Sequence, residues 1–138
     1  MLDLTQSKGA HVDARLRAEP IIWLSTVRPD GRPHLVPVWF LWDGATILIF
    51  SKPANQKIRN LRHSPAVMLA LDTADEGEDV VLIEGRAELL DDAALLPTLP
   101  AYAEKYAALN TRLGQTAESM AREYTQAIRV IVTKLVMY

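Results

Sequence analysis

Cations concentrate in one short stretch, Ser51-Lys52-Pro53-Ala54-Asn55-Gln56-Lys57-Ile58-Arg59-Asn60-Leu61-Arg62. Asn55 is a good N-cap residue, so the pattern predicts a short helix starting at Gln56 and holding Lys57 to Leu61. A helix N-terminus presents free N–H groups and a partial positive charge, which together attract phosphates. Lys57 lies in or near the first turn, where a cation costs the helix about a few tenths of a kcal/mol unless an anion offsets it. The chemistry this points to is anion binding. The plainer reading is a solvated helix with Ile58 and Leu61 turned to the core and the cations keeping it soluble.

A second informative stretch is STVRPDGRPHLVPVWFLWDG, residues 25–44. It reads as two strands joined by a tight turn at Pro29-Asp30-Gly31. Side chains alternate along a strand. In 34–42 one face then carries His34, Val36, Val38, Phe40 and Trp42, and the other Leu35, Pro37, Trp39 and Leu41. An antiparallel strand with one wet face alternates apolar with polar. This one does not, so a cover is expected on both faces: the barrel core on one, and a helix, a second subunit or a flat ligand on the other. Pro37 has no N–H to donate, which implies a ladder break or an edge strand. A planar heterocycle with donors and acceptors on its rim suits such a break. An edge strand in a dimer interface, without a ligand, accounts for the same residues.

Other chemistries find little support. The chain has no cysteine, hence no thiol nucleophile, disulfide or thiolate metal site. Ser25 and Ser51 lack a nucleophile elbow. His11, His34 and His63 show no metal-ligand spacing, and a strand histidine such as His34 is more often structural. Asp72, Asp75, Glu76, Glu78 and Asp79 do not match a calcium loop. The net charge of −2 argues against a general nucleic-acid binder. The polar N-terminal residues do not resemble a signal peptide, and no apolar run approaches the roughly 20 residues of a membrane span. The sequence therefore reads as cytoplasmic.

The elements that must position these residues follow from pattern and punctuation. A helix is expected over 8–18, with Val12 and Leu16 on one face. Strands are expected over 21–27, 34–42 and 46–51, forming a meander, and then over 66–72 and 80–90. Gly85 marks a bulge or bend in the fifth strand. Residues 91–124 read as helical, interrupted at Pro97, Pro100 and Gly114, with Tyr102, Tyr106 and Leu109 on one face. A sixth strand, 127–138, closes the chain. With 138 residues and no linker, one domain over 1–138 is expected. Six short antiparallel strands suggest a small barrel.

The segments LSTVRPDGRPHLVPVWFLWDG, SKPANQKIRNLRHSPAVMLAL, VLIEGRAEL and YTQAIRVIVTKLVMY carry a resemblance. Over nearly its whole length the chain resembles the pyridoxamine-5′-phosphate-oxidase-like flavin and deazaflavin oxidoreductases, and within them the small members that use coenzyme F-420. The resemblance implies a mainly β fold with flanking helices, a six-stranded antiparallel split β-barrel of the FMN-binding type. It implies a homodimer with two cofactor sites at the subunit interface and a small-molecule substrate. It makes Lys57 the leading phosphate ligand, with Ser51, Lys52, Gln56 and Arg62 beside it, and Val36, Pro37, Val38 and Trp39 against the ring. The implied reaction is hydride transfer by a reductase using F-420, with the cofactor carrying the hard step and no side chain named as catalytic. An FMN-dependent oxidase or reductase is the alternative, as is a non-catalytic flavin- or haem-binding protein or a dimer with a vestigial site. Two positions depart from the family pattern: Asn55 stands where some relatives have arginine, and Tyr138 where relatives often have tryptophan.

Overall fold

Turn residues set the course of the chain. In the computed structural model, which describes residues 2–92 and 94–137, the Gly31 N–H donates to the Arg28 carbonyl at 2.8 Å and the Arg28 N–H to the Arg32 carbonyl at 2.9 Å. Gly31 has φ 89°, a conformation that would strain a side chain. The turn joins β1 (Ile22–Val27) to β2 (Pro33–Val38). Helix α1 (Ser7–Ala18) precedes them. After them come β3 (Leu41–Trp42), β4 (Thr46–Ser51), α2 (Gln56–His63), β5 (Ala66–Leu71), β6 (Val81–Leu90), α3 (Pro100–Arg112), α4 (Ala117–Glu123) and β7 (Gln126–Met137).

The strands form one antiparallel sheet in the order β2-β1-β5-β6-β7-β4-β3. It curls so that Ile22, Leu24, Ile47, Ile49, Leu69, Ile83, Ile128 and Val130 meet in a buried core. This is the split-barrel architecture that the resemblance implies, with flanking helices. Helix α1 is tied on by Asp13, which accepts from Trp42 Nε1 at 2.9 Å, and by Arg15, which donates to the Asp72 carbonyl at 2.6 Å. The expected irregularity at Gly85 is a register shift in the β6–β7 ladder between Glu84 and Gly85.

The structure corrects the sequence reading in four places. Among the described residues there are seven strands, because 34–42 is two strands separated at Trp39-Phe40. The reason is local: the Phe40 N–H donates to the Tyr106 hydroxyl at 2.7 Å, and its carbonyl accepts from Lys105 Nζ at 2.8 Å. With both backbone groups satisfied by α3, Phe40 has none left for a ladder. Second, the first strands are no meander. Strand β4 pairs with β7 along its length and touches the preceding strand only at Leu41–Leu48 and Trp42–Ile47. Third, the strand whose two faces are both covered within this chain is β4, which the sequence reading did not single out, and the second cover expected for β2 is not supplied by the chain itself. Ile47 and Ile49 face the barrel, while Leu48 and Phe50 pack on Tyr102 and Tyr106. Strand β2 leaves Leu35 60% exposed and Pro37 exposed. Among the described residues it pairs only with β1, so Pro37 sits on an edge strand opposite Trp23, where a missing donor is tolerated. Fourth, the described residues between 91 and 99 form no helix. Pro100 instead opens α3 at its first turn, where proline fits best.

Candidate functional site

Between the β2 edge, the start of α2 and the α3–α4 pair lies a cleft of about 510 Å³. Its floor is the run Val36-Pro37-Val38-Trp39. Across from it stand Tyr102, Met120 and Tyr124, and Asn55 and Lys57 lie at the α2 end. The wall is mostly apolar and aromatic, with one charge.

Tyr106 holds the wall in place. Its ring stacks on Trp39 with centroids 4.4 Å apart and planes 2° from parallel. Its hydroxyl accepts from the Phe40 N–H and lies 2.8 Å from the Pro20 carbonyl and 2.9 Å from the Phe40 carbonyl, either of which can take its proton. Burial pushes the Tyr106 hydroxyl well above the ordinary phenol range, so it stays protonated and can donate. Lys105 adds a second clasp: its ammonium lies 3.8 Å from the Phe40 ring centroid while donating to the Phe40 carbonyl. Desolvation pulls Lys105 down to about 8.

Lys57 is the charged group of the cleft. It is 9% exposed, and among the described residues it has no salt-bridge partner. Desolvation lowers its pKa, the mark of a cation held in a poor solvent without compensation. It belongs to a helix whose first turn has no acidic residue and whose N-cap, Asn55, forms no side-chain cap. Helix α2 itself is pinned firmly: Asn60 donates to Thr26 Oγ1 at 2.9 Å and accepts from Gln56 Nε2 at 2.7 Å. A buried lysine on a fixed helix, with free N–H groups beside it, is the donor set an anion needs. The residues thus fit a ligand with a flat ring and a phosphate.

The expected site residues divide. The structure brings Val36, Pro37, Val38, Trp39 and Lys57 into one cleft. Lys52 reaches its edge, 5.6 Å from the ring centroid of the cleft residue Tyr124. Ser51 is fully buried and donates to the Lys52 carbonyl, so its hydroxyl serves the backbone. Gln56 is engaged by Asn60 and by Arg59 Nη2, and Arg62 is exposed on α2 away from the lining residues. Tyr138 lies outside the described residues. Sequence reasoning missed Ile21, Tyr102, Leu113, Gln115, Met120 and Tyr124 as lining residues. The shared face of Tyr102 and Tyr106 was legible, but nothing local says which cavity a helix face will close.

Among the described residues no cluster of acidic groups and histidines could hold a metal ion, and no helix is long and apolar enough to cross a membrane.

The family profile described as pyridoxamine 5′-phosphate oxidase matches residues 9–137. The chain belongs to that family. Solved structures agree on the family fold. A conserved hypothetical protein from Mycobacterium tuberculosis superposes with a TM-score of 0.77 at 24% identity, covering 94% of this chain and 82% of that one. An F-420 reductase matches with a TM-score of 0.64 at 28% identity, covering 88% and 93%. A haem storage protein from Vibrio cholerae matches with a TM-score of 0.66 at 12% identity, covering 96% and 94%. The family fold therefore hosts more than one kind of ligand, and the choice among them rests on the cleft.

Proposed function

We propose that the protein is a reductase that uses the deazaflavin coenzyme F-420 to transfer hydride to a small organic substrate. The observation that carries this reading is Lys57, a buried and uncompensated cation at one end of an aromatic cleft. The likeness to an F-420 reductase supports the deazaflavin over other ring-and-phosphate ligands. The coenzyme supplies the hydride chemistry when bound. The protein's part is binding, orientation and exclusion of water. Lys57 and the α2 N-terminus hold the phosphate, the Val36–Trp39 edge receives the ring, and Tyr106 fixes Trp39 so that the ring's plane is set before binding. Lys52 at the rim faces solvent, where it attracts the oligoglutamate tail.

The same reading assigns the open outer face of the sheet to a second copy of the chain. Leu35, Ser25 and Met68 lie in register across β2, β1 and β5. Leu35 is 60% and Met68 41% exposed, and Val27 and Ile131 are exposed nearby in the next row. The row continues into the ion pair of Glu84 and Lys134, and exposed apolar groups rimmed by charges in this way mark interaction surfaces. A homodimer covers it and closes the cleft's open side.

The test is a titration of ligand-free protein with oxidised F-420 and, separately, FMN, following the fluorescence of Trp23, Trp39 and Trp42. Preference for F-420 supports the proposal, preference for FMN moves the protein to flavin chemistry, and binding of neither removes the enzyme reading. A Soret band on adding haem with neither coenzyme bound points to a haem-binding role.

A further inference from the structure

Helix α4 walls the cleft but is weakly tied to the rest of the molecule. It has seven residues, Ala117–Glu123, too few to be stable alone in water. Its capping box is internal: the Ser119 N–H donates to Thr116 Oγ1 at 3.0 Å and the Thr116 N–H to Ser119 Oγ at 2.9 Å. The Tyr124 N–H closes its last turn on the Met120 carbonyl at 2.8 Å. Among the described residues no hydrogen bond or ion pair joins 116–123 to another element. Packing adds little. The one buried side chain of α4, Met120, is 8% exposed and belongs neither to the barrel core nor to the cluster of Leu48, Phe50, Tyr102 and Tyr106. It lines the cleft instead.

The ends of this segment, by contrast, are fixed. At one, the Gln115 N–H donates to the Asn110 carbonyl at 2.8 Å, beside Gly114, whose φ of 69° turns the chain out of α3. At the other, Tyr124 packs on the Tyr102–Tyr106 cluster, and the next strand is tied down by Gln126 Nε2, which donates to the Leu90 carbonyl at 3.1 Å. A short helix bonded only to itself and strung between two anchors opens at low cost. Both anchors, Gln115 and Tyr124, line the cleft, so the part that opens lies over it.

Resting on the reading of the cleft given above, we propose that α4 is a lid over the coenzyme ring and that Met120 is a further ring-binding residue: α4 lifts to admit the ring and settles when Met120 packs on it. The two walls then differ in kind. The Val36–Trp39 floor is set before binding, because Tyr106 stacks on Trp39, whereas the α4 wall gains its packing partner only from the ligand. A flexible, polarizable thioether is suited to such a contact. Closure keeps water from the ring and slows its departure, so Met120 acts on the dissociation rate rather than on the association rate.

The experiment is hydrogen exchange by mass spectrometry on the wild-type protein. Without coenzyme, the amides of 120–124 are expected to be at least about tenfold less protected than those of 106–110 in α3. Equal protection would overturn the lid. F-420 is then added, its binding followed separately by tryptophan fluorescence. The 120–124 amides should slow by about tenfold or more while those of α3 stay as they were. Unchanged exchange with F-420 bound overturns the lid and leaves the cleft reading in place. No binding of F-420 overturns the cleft reading, and the lid over its ring with it. Two variants test Met120. Met120→Ala should raise the F-420 dissociation rate about tenfold with the association rate nearly unchanged, and Met120→Leu, of similar volume, should restore it. An unchanged dissociation rate in the alanine variant removes Met120 from the site. The empty alanine variant should melt within about 5 °C of wild type, because neither core cluster loses a member. A larger fall, or failure to fold, would show Met120 to be a structural side chain and overturn its assignment.

Discussion

On the proposed reading, Lys57 trades stability of the folded chain for an anion contact. Lys57 is 9% exposed and has no salt-bridge partner among the described residues, so the empty protein bears a partial desolvation cost that a ligand anion would offset. Replacing it with methionine should therefore have opposite effects with and without ligand. Lys57→Met is expected to raise the stability of the ligand-free protein by about 1 kcal/mol. The same change should weaken F-420 by at least about tenfold, the loss of one charge-assisted contact. Thermal melts with and without coenzyme check both halves, and a variant that is less stable when empty would show that Lys57 has a structural partner. Lys57 was the most legible residue of the site, because a cation at a helix start is out of place locally. Ser51 shows the opposite case: a hydroxyl beside a lysine looks like a ligand in sequence, yet it is consumed by the Lys52 carbonyl.

Elements were readable where local chemistry decides them. The turns at Gly31 and Gly44, both at positive φ, and the helix opened at Asn55 are fixed by nearby residues and fall where the pattern puts them. The misreadings came from distant partners. Nothing within 34–42 says that Phe40 will give both backbone groups to α3, 65 and 66 positions away. Nothing within 46–51 says that β4 will pair with β7. Gly85 lies between these cases: its position in a strand signals an irregularity, but only the packing shows its severity. A Cβ there would lie 2.7 Å from the Ile131 carbonyl oxygen and 2.7 Å from Val130 Cγ1. The first neighbour is backbone and cannot swing aside. Gly85→Ala is thus expected to cost about 1–3 kcal/mol, read from the denaturant midpoint. A neutral result would mean that the β6–β7 ladder shifts freely at its bulge.

For the whole molecule, the open sheet face and the cleft are linked through β2. One face of that strand carries Leu35 and Pro37 outward, and the other carries His34, Val36 and Val38 toward α2. If the outer face is a dimer interface, a charge placed there should separate the subunits. Leu35→Glu is expected to convert a dimer to monomer in light scattering and to loosen coenzyme binding at the same time. A wild-type monomer would leave the face without an assigned cover. The break at Trp39-Phe40 has a consequence in time as well as in space. It joins β2 and β3, which stand at opposite ends of the strand order, so the chain crosses there from one end of the sheet to the other. Tyr106 fastens that crossing, 66 positions before it in the chain, to the carbonyl of Pro20, 86 positions before it. Contacts of such long sequence separation form late, after the hairpins have paid their smaller loop costs. Tyr106→Phe should therefore speed unfolding and leave the refolding rate nearly unchanged, a low-φ signature in a chevron plot. The contact that fastens the crossing also holds Trp39 in the cleft wall, so the cleft takes its shape only once these distant parts of the chain have met.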